Sequence, residues 1–385
     1  MSSAALAYRL SSSWLNPNAS SYLIYFVTAA CNAKCESCFY WKETDSASPQ
    51  NELTPEETAK IAEHLPPLVQ LTLSGGEPFL REDLVELVQP LIEKAAPCFL
   101  SIPTNGILTE RIVKTAETLA TRYPRLRLNI ELSLDGIGQA HDQLRARPGA
   151  FENLMATWRA LKSLQPNHKN LRLGILTVLS GLNRGDIFET LKYIKGELKP
   201  ERMEVLFARG EPRNPAAIQV SIDQFKEVND WLEKESPRPK TLVDRIRWSL
   251  AEEKRNLIIN TVSKNQMILP CLAGKKLVVL EPDGRVRPCE ILSSRESRIS
   301  NFKFQISDLK SQTSPNRSGP DNFWLGSLRE SDYDLRRILR SEQAKKVLSF
   351  IESGGCHCSY ECAALADLAF RPKRMFRIFL RSLLP

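Results

Sequence analysis

From Tyr22 to about Gly210, short β-rich runs alternate with helical patterns, and this alternation constrains the fold more than any other feature of the chain. The strand-like runs cover residues 22–29, 69–74, 98–103, 126–134, 171–179 and 203–208. The helical patterns between them fall near residues 55–65, 82–95, 110–122, 150–164 and 186–197. One helix start is well marked, because Thr54, Pro55 and Glu57 form a capping box with proline at the first helical position. Repeats of this kind predict a parallel sheet with crossover helices, either a partial (β/α)6 barrel or a doubly wound open sheet.

In either architecture, ligands collect at the carboxyl ends of the strands. Beyond Gly210, prolines interrupt the pattern, although residues 241–264 and 341–351 are predicted to be helices. Pro282, Asp283 and Gly284 lie between two apolar runs and predict a hairpin, whereas residues 292–335 are irregular, with 314–320 expected to be flexible. The predicted division is an N-terminal segment 1–20, a core domain 21–210, a helical linker 211–265, a small cysteine-rich domain 266–370 and a basic amphipathic tail 371–385.

Charge and hydropathy exclude several function classes. The 385 residues include 53 Lys and Arg against 45 Asp and Glu, which gives a formal charge of +8. Five of the cations and no acid lie in residues 371–385, so the excess belongs to the tail and no nucleic-acid-binding face is expected. No apolar stretch is long enough to span a membrane, and residues 1–16 lack signal-peptide character, so we expect a cytoplasmic protein.

Most of the nine cysteines are clustered, which in a reducing compartment favours metal binding over disulfides. Cys31, Cys35 and Cys38 supply three thiolates within eight residues, directly after the first strand. Because a four-iron cube takes one ligand per iron, three protein thiolates leave one iron open to bind a small molecule. A zinc site is the alternative. Cys98, alone on a strand-like run, is expected to be a buried apolar residue.

The spacing Cys-x-x-x-Cys-x-x-Cys, followed here by Phe39 and Tyr40, resembles the signature of the radical S-adenosylmethionine (SAM) enzymes. The resemblance implies a partial TIM-like barrel in which Cys31, Cys35 and Cys38 hold a [4Fe–4S] cluster that chelates SAM. It also implies that reductive cleavage of SAM gives a 5′-deoxyadenosyl radical, which abstracts a substrate hydrogen. The electron would come from a low-potential donor of the flavodoxin or ferredoxin type.

Later strand ends carry candidate SAM contacts. The run Gly75-Gly76-Glu77-Pro78 resembles the family motif that contacts the SAM amino group, and its glycines let the backbone approach a ligand. Ser133 and Asp135 resemble the residues that meet the ribose hydroxyls, and Arg145 resembles the arginine that meets the methionine carboxylate. Further cofactor-binding candidates at strand ends are Thr104, Asn105 and, for the adenosine pocket, Thr177. No side chain is assigned as a catalytic acid or base.

A second cysteine set lies near the C-terminus. Cys271, Gly284 and Cys289 resemble the opening of SPASM or twitch extensions, which bind auxiliary iron–sulfur clusters, and Cys356, Cys358 and Cys362 can complete the set. A full SPASM domain uses seven cysteines for two clusters, whereas this extension has five, so we expect one auxiliary [4Fe–4S] cluster in a twitch-like domain. The expected ligands are Cys271, Cys289, Cys362 and either Cys356 or Cys358. His357 could substitute, and a zinc knuckle is the alternative.

The tail is amphipathic. One helical face carries Phe376, Phe379, Leu380 and Leu383, and the other carries Arg374, Arg377 and Arg381. Docking against the barrel and contact of residues 372–385 with a membrane surface or a partner both fit this pattern.

Relatives with such extensions often modify ribosomally made peptides, and others dehydrogenate small molecules. We expect peptide modification, with a small-molecule dehydrogenase or other oxidoreductase as the alternative. About twenty residues before the first strand leave no room for a peptide-recognition domain, so a separate recognition protein is expected. The alternative of another class is a non-catalytic zinc or iron–sulfur scaffold.

Overall fold

The computed structural model describes residues 3–16, 19–236, 239–292 and 322–383. Its strands are β1 Tyr22–Thr28, β2 Gln70–Gly75, β3 Phe99–Thr104, β4 Arg127–Ser133, β5 Leu171–Leu179, β6 Arg202–Phe207, β7 Leu277–Leu280, β8 Arg285–Arg287 and β9 Gly326–Ser327. Its α-helices are α1 Ser3–Leu15, α2 Trp41–Asp45, α3 Pro55–His64, α4 Leu84–Ala95, α5 Thr109–Arg122, α6 Gln139–Arg145, α7 Ala150–Leu164, α8 Ile187–Tyr193, α9 Ile222–Glu235, α10 Leu242–Ser263, α11 Leu335–Arg340, α12 Glu342–Glu352, α13 Glu361–Ala369 and α14 Pro372–Leu383.

One sheet contains all nine of these strands, in the order β6-β5-β4-β3-β2-β1-β7-β8-β9. Strands β1 to β6 are parallel and follow one another across the sheet in chain order. A doubly wound sheet reverses its strand order at a switch point, and this sheet has no such reversal among β1 to β6. The architecture is therefore the partial (β/α)6 barrel.

The predicted strands and their helices are confirmed. Each of β1 to β6 begins and ends within one residue of the predicted run, and helices α3, α4, α5, α7 and α8 lie in the predicted intervals. Every residue of β1 is buried, because this strand lies between β2 and β7. The capping box is also present, since the Glu57 amide donates to Thr54 Oγ1 at 3.3 Å and the Thr54 amide donates to Glu57 Oε2 at 3.0 Å.

The C-terminal part of the chain continues the barrel sheet. Strand β7 pairs in parallel with β1, and the predicted hairpin is present as the antiparallel pair β7 and β8. Gly284 takes a φ of +87° in the hairpin turn, a value that favours glycine. Of the predicted irregular segment 292–335, residues 293–321 lie outside the described residues, and so does the flexible stretch 314–320.

Sequence patterns did not predict three longer helices, α1, α9 and α13. Helix α9 has a capping box of its own, formed by Ser221 and Gln224. Helix α1 packs on the C-terminal part, because Trp14 Nε1 donates to the Ala369 carbonyl at 3.0 Å. Among the helices described, none combines the length and the apolar character that a membrane span requires.

Candidate active site and auxiliary cysteine cavity

The first cysteine group lies on the loop between β1 and α2, at the carboxyl end of the sheet. The β1–β2 register shifts between Phe26 and Thr28, so the irregularity lies directly before the loop. Backbone hydrogen bonds hold the loop from two sides. The Lys34 amide donates to the Arg145 carbonyl at 3.2 Å, and the Asn214 amide donates to the Glu36 carbonyl at 2.8 Å. Contacts with α6 and with the segment after β6 therefore help to hold the loop.

The three thiols of this loop are partly buried and influence one another. Burial raises the pKa of the Cys31 thiol to about 11, and the neighbouring Cys35 and Glu77 add to the rise. Burial also raises the pKa of the Cys38 thiol to about 12, with Cys35 and Cys31 contributing. Thiolates at these positions need compensating positive charge, which a metal centre supplies.

Two glycines, the last residue of β2 and the one after it, bring the backbone against the cysteine loop. A Cβ atom on Gly75 would lie 2.2 Å from the Thr28 carbonyl oxygen, and one on Gly76 would lie 2.1 Å from the Ala30 carbonyl oxygen. Gly75 also has a φ of +125°. The Glu77 amide donates to the Ala30 carbonyl at 2.9 Å. Neither glycine can therefore carry a side chain without moving the start of the cysteine loop.

Glu77 ties the third strand end to this arrangement. Its carboxylate accepts from Thr104 Oγ1 at 2.8 Å, from the Asn105 amide at 2.8 Å and from the Phe79 amide at 3.2 Å. Burial raises its pKa to about 7, although these hydrogen bonds oppose the rise. Asn105 Nδ2 in turn donates to Asn32 Oδ1, inside the cysteine loop, at 2.7 Å. The predicted cofactor contacts Glu77, Thr104 and Asn105 therefore form one connected group.

Arg145 joins the cysteine loop to the fourth strand end. Its Nη1 lies 3.6 Å from Cys35 Sγ, and its Nη2 donates to the Ser133 carbonyl at 2.7 Å and pairs with Asp135 Oδ2 at 2.8 Å. The Asp135 carboxylate and the cysteine sulfurs raise the pKa of Arg145 above its usual range, against the effect of burial. Arg145 Nε is buried and has no partner among the described residues.

Asp135 and Thr177 are both engaged inside the protein. Asp135 Oδ1 accepts from the Val178 amide at 2.8 Å, in addition to its ion pair with Arg145. The Thr177 hydroxyl is fully buried and donates to the Leu134 carbonyl at 2.8 Å. Both residues therefore fix the relation between the fourth and fifth strand ends.

His141 also belongs to the group formed by Asp135 and Arg145, although it is part of none of the sequence motifs described above. Its Nδ1 accepts from the Asp135 amide at 3.2 Å, and its Nε2 is buried without a partner among the described residues. Burial and the charge of Arg145 lower its pKa to about 2, so the ring is neutral. The available signal was its position four residues before Arg145 on α6, which places both side chains on one helix face.

A cavity between α10, α12 and α13 contains the second cysteine group. Its lining includes four of the five C-terminal cysteines, namely Cys271, Cys289, Cys356 and Cys358. Most of the remaining lining is apolar and includes Leu257, Ile258, Leu292, Ile351, Ala363 and Ala364. The structure thus brings together thiols that lie up to 87 residues apart in the chain.

Burial also disfavours the charged form of the cavity thiols. Burial raises the pKa of Cys358 to about 12 and that of Cys271 well above its usual range, to which Asp367 adds. Two backbone amides point at sulfur atoms, from Ala273 to Cys271 Sγ at 3.5 Å and from Leu292 to Cys289 Sγ at 3.4 Å. Hydrogen bonds of this kind to sulfur are also found around iron–sulfur clusters.

Cys362 and His357 are placed differently from the cavity thiols. Cys362 is absent from the cavity lining, and its thiol lies near the Tyr22 hydroxyl on β1, whose pKa is raised by burial and by this thiol. His357 contributes to the lining, but its Nε2 lies 2.8 Å from Asn265 Oδ1 and shares a hydrogen bond with it. Cys98, the ninth cysteine, is 4% exposed on the run before β3, as predicted.

Arg209 connects the two cysteine sites. Its guanidinium pairs with Glu361, at the start of α13, and lies 3.7 Å from Glu290, next to Cys289. It also lies over the ring of Phe39, next to Cys38, at 5.7 Å and over the ring of Tyr360, which lines the cavity, at 4.9 Å. One buried cation therefore contacts residues that adjoin both sites.

Neither group of thiols converges as ligands of a single ion do. Among the described residues, no three or more His, Cys, Asp or Glu side chains come together in the arrangement that one metal ion needs. A four-iron cube is held at separate corners, so its ligands need not meet at one point.

Comparison with known families identifies the core. Residues 25–194 match the profile of the Radical SAM superfamily. Residues 25–194 therefore form a radical SAM domain. The matched region begins inside β1 and ends at the start of the π-helical turn after α8, so it contains the cysteine loop and the first five strands.

Curated relatives of this radical SAM protein are enzymes. It is 25% identical to the AdoMet-dependent heme synthase of Methanosarcina barkeri over 75% of this chain and 82% of that protein. It is 24% identical to the PqqA peptide cyclase of Bradyrhizobium diazoefficiens over 86% of this chain and 80% of that protein. Other curated relatives match over about two fifths of their own length. By this similarity the radical SAM protein is itself an enzyme.

A solved structure agrees with the fold. The radical SAM protein superposes on native anSMEcpe, solved with bound AdoMet (SAM) and the Cp18Cys peptide, with a TM-score of 0.54 and 16% identity. The superposition covers 95% of this chain and 97% of that one. The barrel and the C-terminal part are thus both represented in one known architecture.

The cofactors of the superfamily are a [4Fe–4S] cluster and SAM, and the residues of the loop site fit them. Three thiols on the loop would leave one of four irons without a protein ligand, the position that SAM would occupy. Gly75 and Gly76 leave the adjoining backbone without side chains, and Arg145 Nε is a buried donor that lacks a partner among the described residues. The four thiols that line the cavity match the ligand number of an auxiliary [4Fe–4S] cluster.

Proposed function

We propose that this radical SAM enzyme modifies a ribosomally made peptide by removing a hydrogen atom from it. The observation that carries the proposal is the three-thiol loop, held at the strand ends between Gly75-Gly76 and Arg145, close to a second cavity of four thiols. When bound, the loop cluster and SAM supply the 5′-deoxyadenosyl radical that performs the hydrogen abstraction.

In this proposal, Cys31, Cys35 and Cys38 hold the loop cluster. The backbone of Gly75 to Pro78 receives the SAM amino group, and Glu77 keeps that backbone in register with Thr104 and Asn105 through its hydrogen bonds. These residues bind and orient the cofactor.

Arg145 is proposed to receive the methionine carboxylate of SAM. Its Nε donor is free among the described residues, while its Nη2 is held by Asp135 and the Ser133 carbonyl. Asp135 therefore orients the guanidinium of Arg145. The contacts of Ser133 and Asp135 with the SAM ribose, and of Thr177 with the adenosine, stay proposals.

Cys271, Cys289, Cys356 and Cys358 are proposed to hold the auxiliary cluster. All four line one cavity, whereas Cys362 is not among its lining residues. The set departs from the sequence-based expectation, which included Cys362 and only one of Cys356 and Cys358. In this proposal residues 21–210 form the core domain and residues 266–370 form the auxiliary domain.

Two kinds of partner follow from the proposal. A low-potential donor of the flavodoxin or ferredoxin type supplies the electron, and a separate recognition protein presents the peptide. Similarity to a peptide cyclase supports a peptide substrate, and this similarity covers 80% of that relative's length. The second candidate is a small-molecule oxidoreductase, which the similarity to a heme synthase over 75% of this chain favours.

The test uses the full chain, reconstituted without oxygen, with SAM, dithionite and peptides encoded beside the gene. Deuterated peptides should transfer deuterium to 5′-deoxyadenosine, and the peptide mass should change. The matched control carries Cys31, Cys35 and Cys38 replaced by alanine, and it should give neither product. Deuterium transfer from a tetrapyrrole or another small molecule, with none from any peptide, would establish the second candidate instead.

A further inference from the structure

Helix α14 has one face that is docked on the protein. Ile378 and Ser382 are buried, and Arg381 donates to Glu252 at 2.6 Å and to Glu253 at 3.0 Å, both on α10. Helix α14 is therefore docked, but on α10 of the predicted linker rather than on the barrel, which was the docking alternative expected from the sequence.

The opposite face of α14 is apolar and exposed. Phe376 is 60% exposed, Leu383 is 48% exposed, Leu380 is 47% exposed and Phe379 is 37% exposed. Their spacing of three and four residues places them in one stripe along the helix. Four of the nine large apolar side chains that are exposed in the described residues lie in this stripe, so it is a concentrated patch rather than scattered exposure.

Cations flank the stripe without partners. Lys373, Arg374 and Arg377 form no ion pair within the described parts of the chain, whereas Arg381 is occupied by Glu252 and Glu253. At 100° per residue, Lys373 and Arg377 lie next to the stripe, between it and the docked face. Residues 371–385 contain no acid that could neutralise them.

We infer that α14 attaches the enzyme to the surface of an anionic lipid bilayer, with Phe376, Phe379, Leu380 and Leu383 entering the headgroup region. An exposed apolar stripe flanked by unpaired cations is the pattern of helices that lie in the plane of a membrane interface. Because the other face of α14 is docked on α10, the stripe is exposed to solvent. Lys373 and Arg377, beside the stripe, complement the negative charge of the headgroups, and the partly exposed Arg374 on the side of the docked face adds to the positive charge of the helix.

The test is cosedimentation of the full chain with vesicles of phosphatidylcholine alone and of phosphatidylcholine mixed with phosphatidylserine. Binding is expected only to the mixed vesicles and should weaken as salt rises. Replacing Lys373, Arg374 and Arg377 by glutamine should weaken it on the order of a hundredfold. The matched control replaces the exposed residues Lys94, Lys114 and Lys169 by glutamine, which removes the same charge elsewhere and should leave binding unchanged.

A second variant tests the stripe itself. Phe376→Ser with Leu380→Ser should abolish vesicle binding without lowering the thermal unfolding temperature, because both side chains are exposed. Three outcomes would overturn the inference: no binding to anionic vesicles, equal loss in the lysine control, or a dimer in solution that the serine variant dissociates. SAM cleavage should be unchanged in all these variants, so this inference and the proposed function fail independently.

Discussion

The two cysteine sites differ in how the chain assembles them. The loop site takes its three thiols from eight consecutive residues and has a guanidinium, that of Arg145, beside Cys35. The cavity site collects four thiols from three separate segments and has a carboxyl group, that of Asp367, beside Cys271. A local loop next to a bare glycine backbone suits a site that must admit a ligand, whereas an apolar cavity suits a closed site.

Removing the loop thiols is the strongest test of this difference between the two sites. Replacing Cys31, Cys35 and Cys38 by alanine should abolish SAM cleavage and remove about four irons per chain, leaving about four in the cavity. Iron and sulfide analysis with a 5′-deoxyadenosine assay measures both effects. Loss of all iron from this variant would show that the two sites do not load independently.

The cavity site is tested by single alanine variants. Cys356→Ala and Cys358→Ala should each remove the auxiliary cluster, about four irons per chain, because each thiol lines the cavity. Cys362→Ala should retain it, since that thiol does not line the cavity. Cys98→Ala is the control for replacing a buried cysteine. Iron loss from Cys362→Ala, with retention in Cys356→Ala, would reverse the assignment.

The two sites also differ in how much of each could be predicted from the sequence. The three loop cysteines could be proposed from the sequence alone, because they lie in one segment whose spacing is itself the signal. Which C-terminal cysteines share a cavity could not be read from the sequence, because it depends on the rotation of α13. Tyr360, Ala363, Ala364 and Asp367 line the cavity at helical spacing, and Cys362 lies one position off that face, towards Tyr22.

Other features depended on tertiary contacts that no local pattern reports. The strand order of the sheet decided between a barrel and a doubly wound fold, although the strands themselves were predicted within one residue. The role of Arg209 could not be predicted either, since its partners Glu290 and Glu361 come from two distant segments.

Replacing Arg209 tests how much its contacts between the two sites contribute to stability. Arg209→Gln should lower the free energy of unfolding by about 3–5 kcal/mol, because it leaves the buried carboxylates of Glu290 and Glu361 without a cation. Urea unfolding measures the change. Arg213→Gln is the control, since its ion pair with Asp45 is more exposed and should contribute about 0–1 kcal/mol. Equal effects of both variants would mean that the buried connection contributes no more than a surface pair.

The smallest expected effect is that of replacing Arg145, which should change SAM binding at the loop site without changing its iron content. Arg145→Ala should weaken SAM binding by about tenfold to a hundredfold, the value of one or two hydrogen bonds to a charged group, while iron content stays unchanged. Equilibrium dialysis with labelled SAM measures the affinity. Arg145→Lys should recover part of it, and the exposed Arg147→Ala is the control. Unchanged SAM affinity in Arg145→Ala would remove this residue from the SAM site.

The most direct test of the central claim is the metal content and reactivity of the unmodified chain. After reconstitution without oxygen, we expect about eight irons per chain, two cubes of four, and release of 5′-deoxyadenosine when SAM and dithionite are added. A chain that holds zinc alone and releases no 5′-deoxyadenosine would contradict the account.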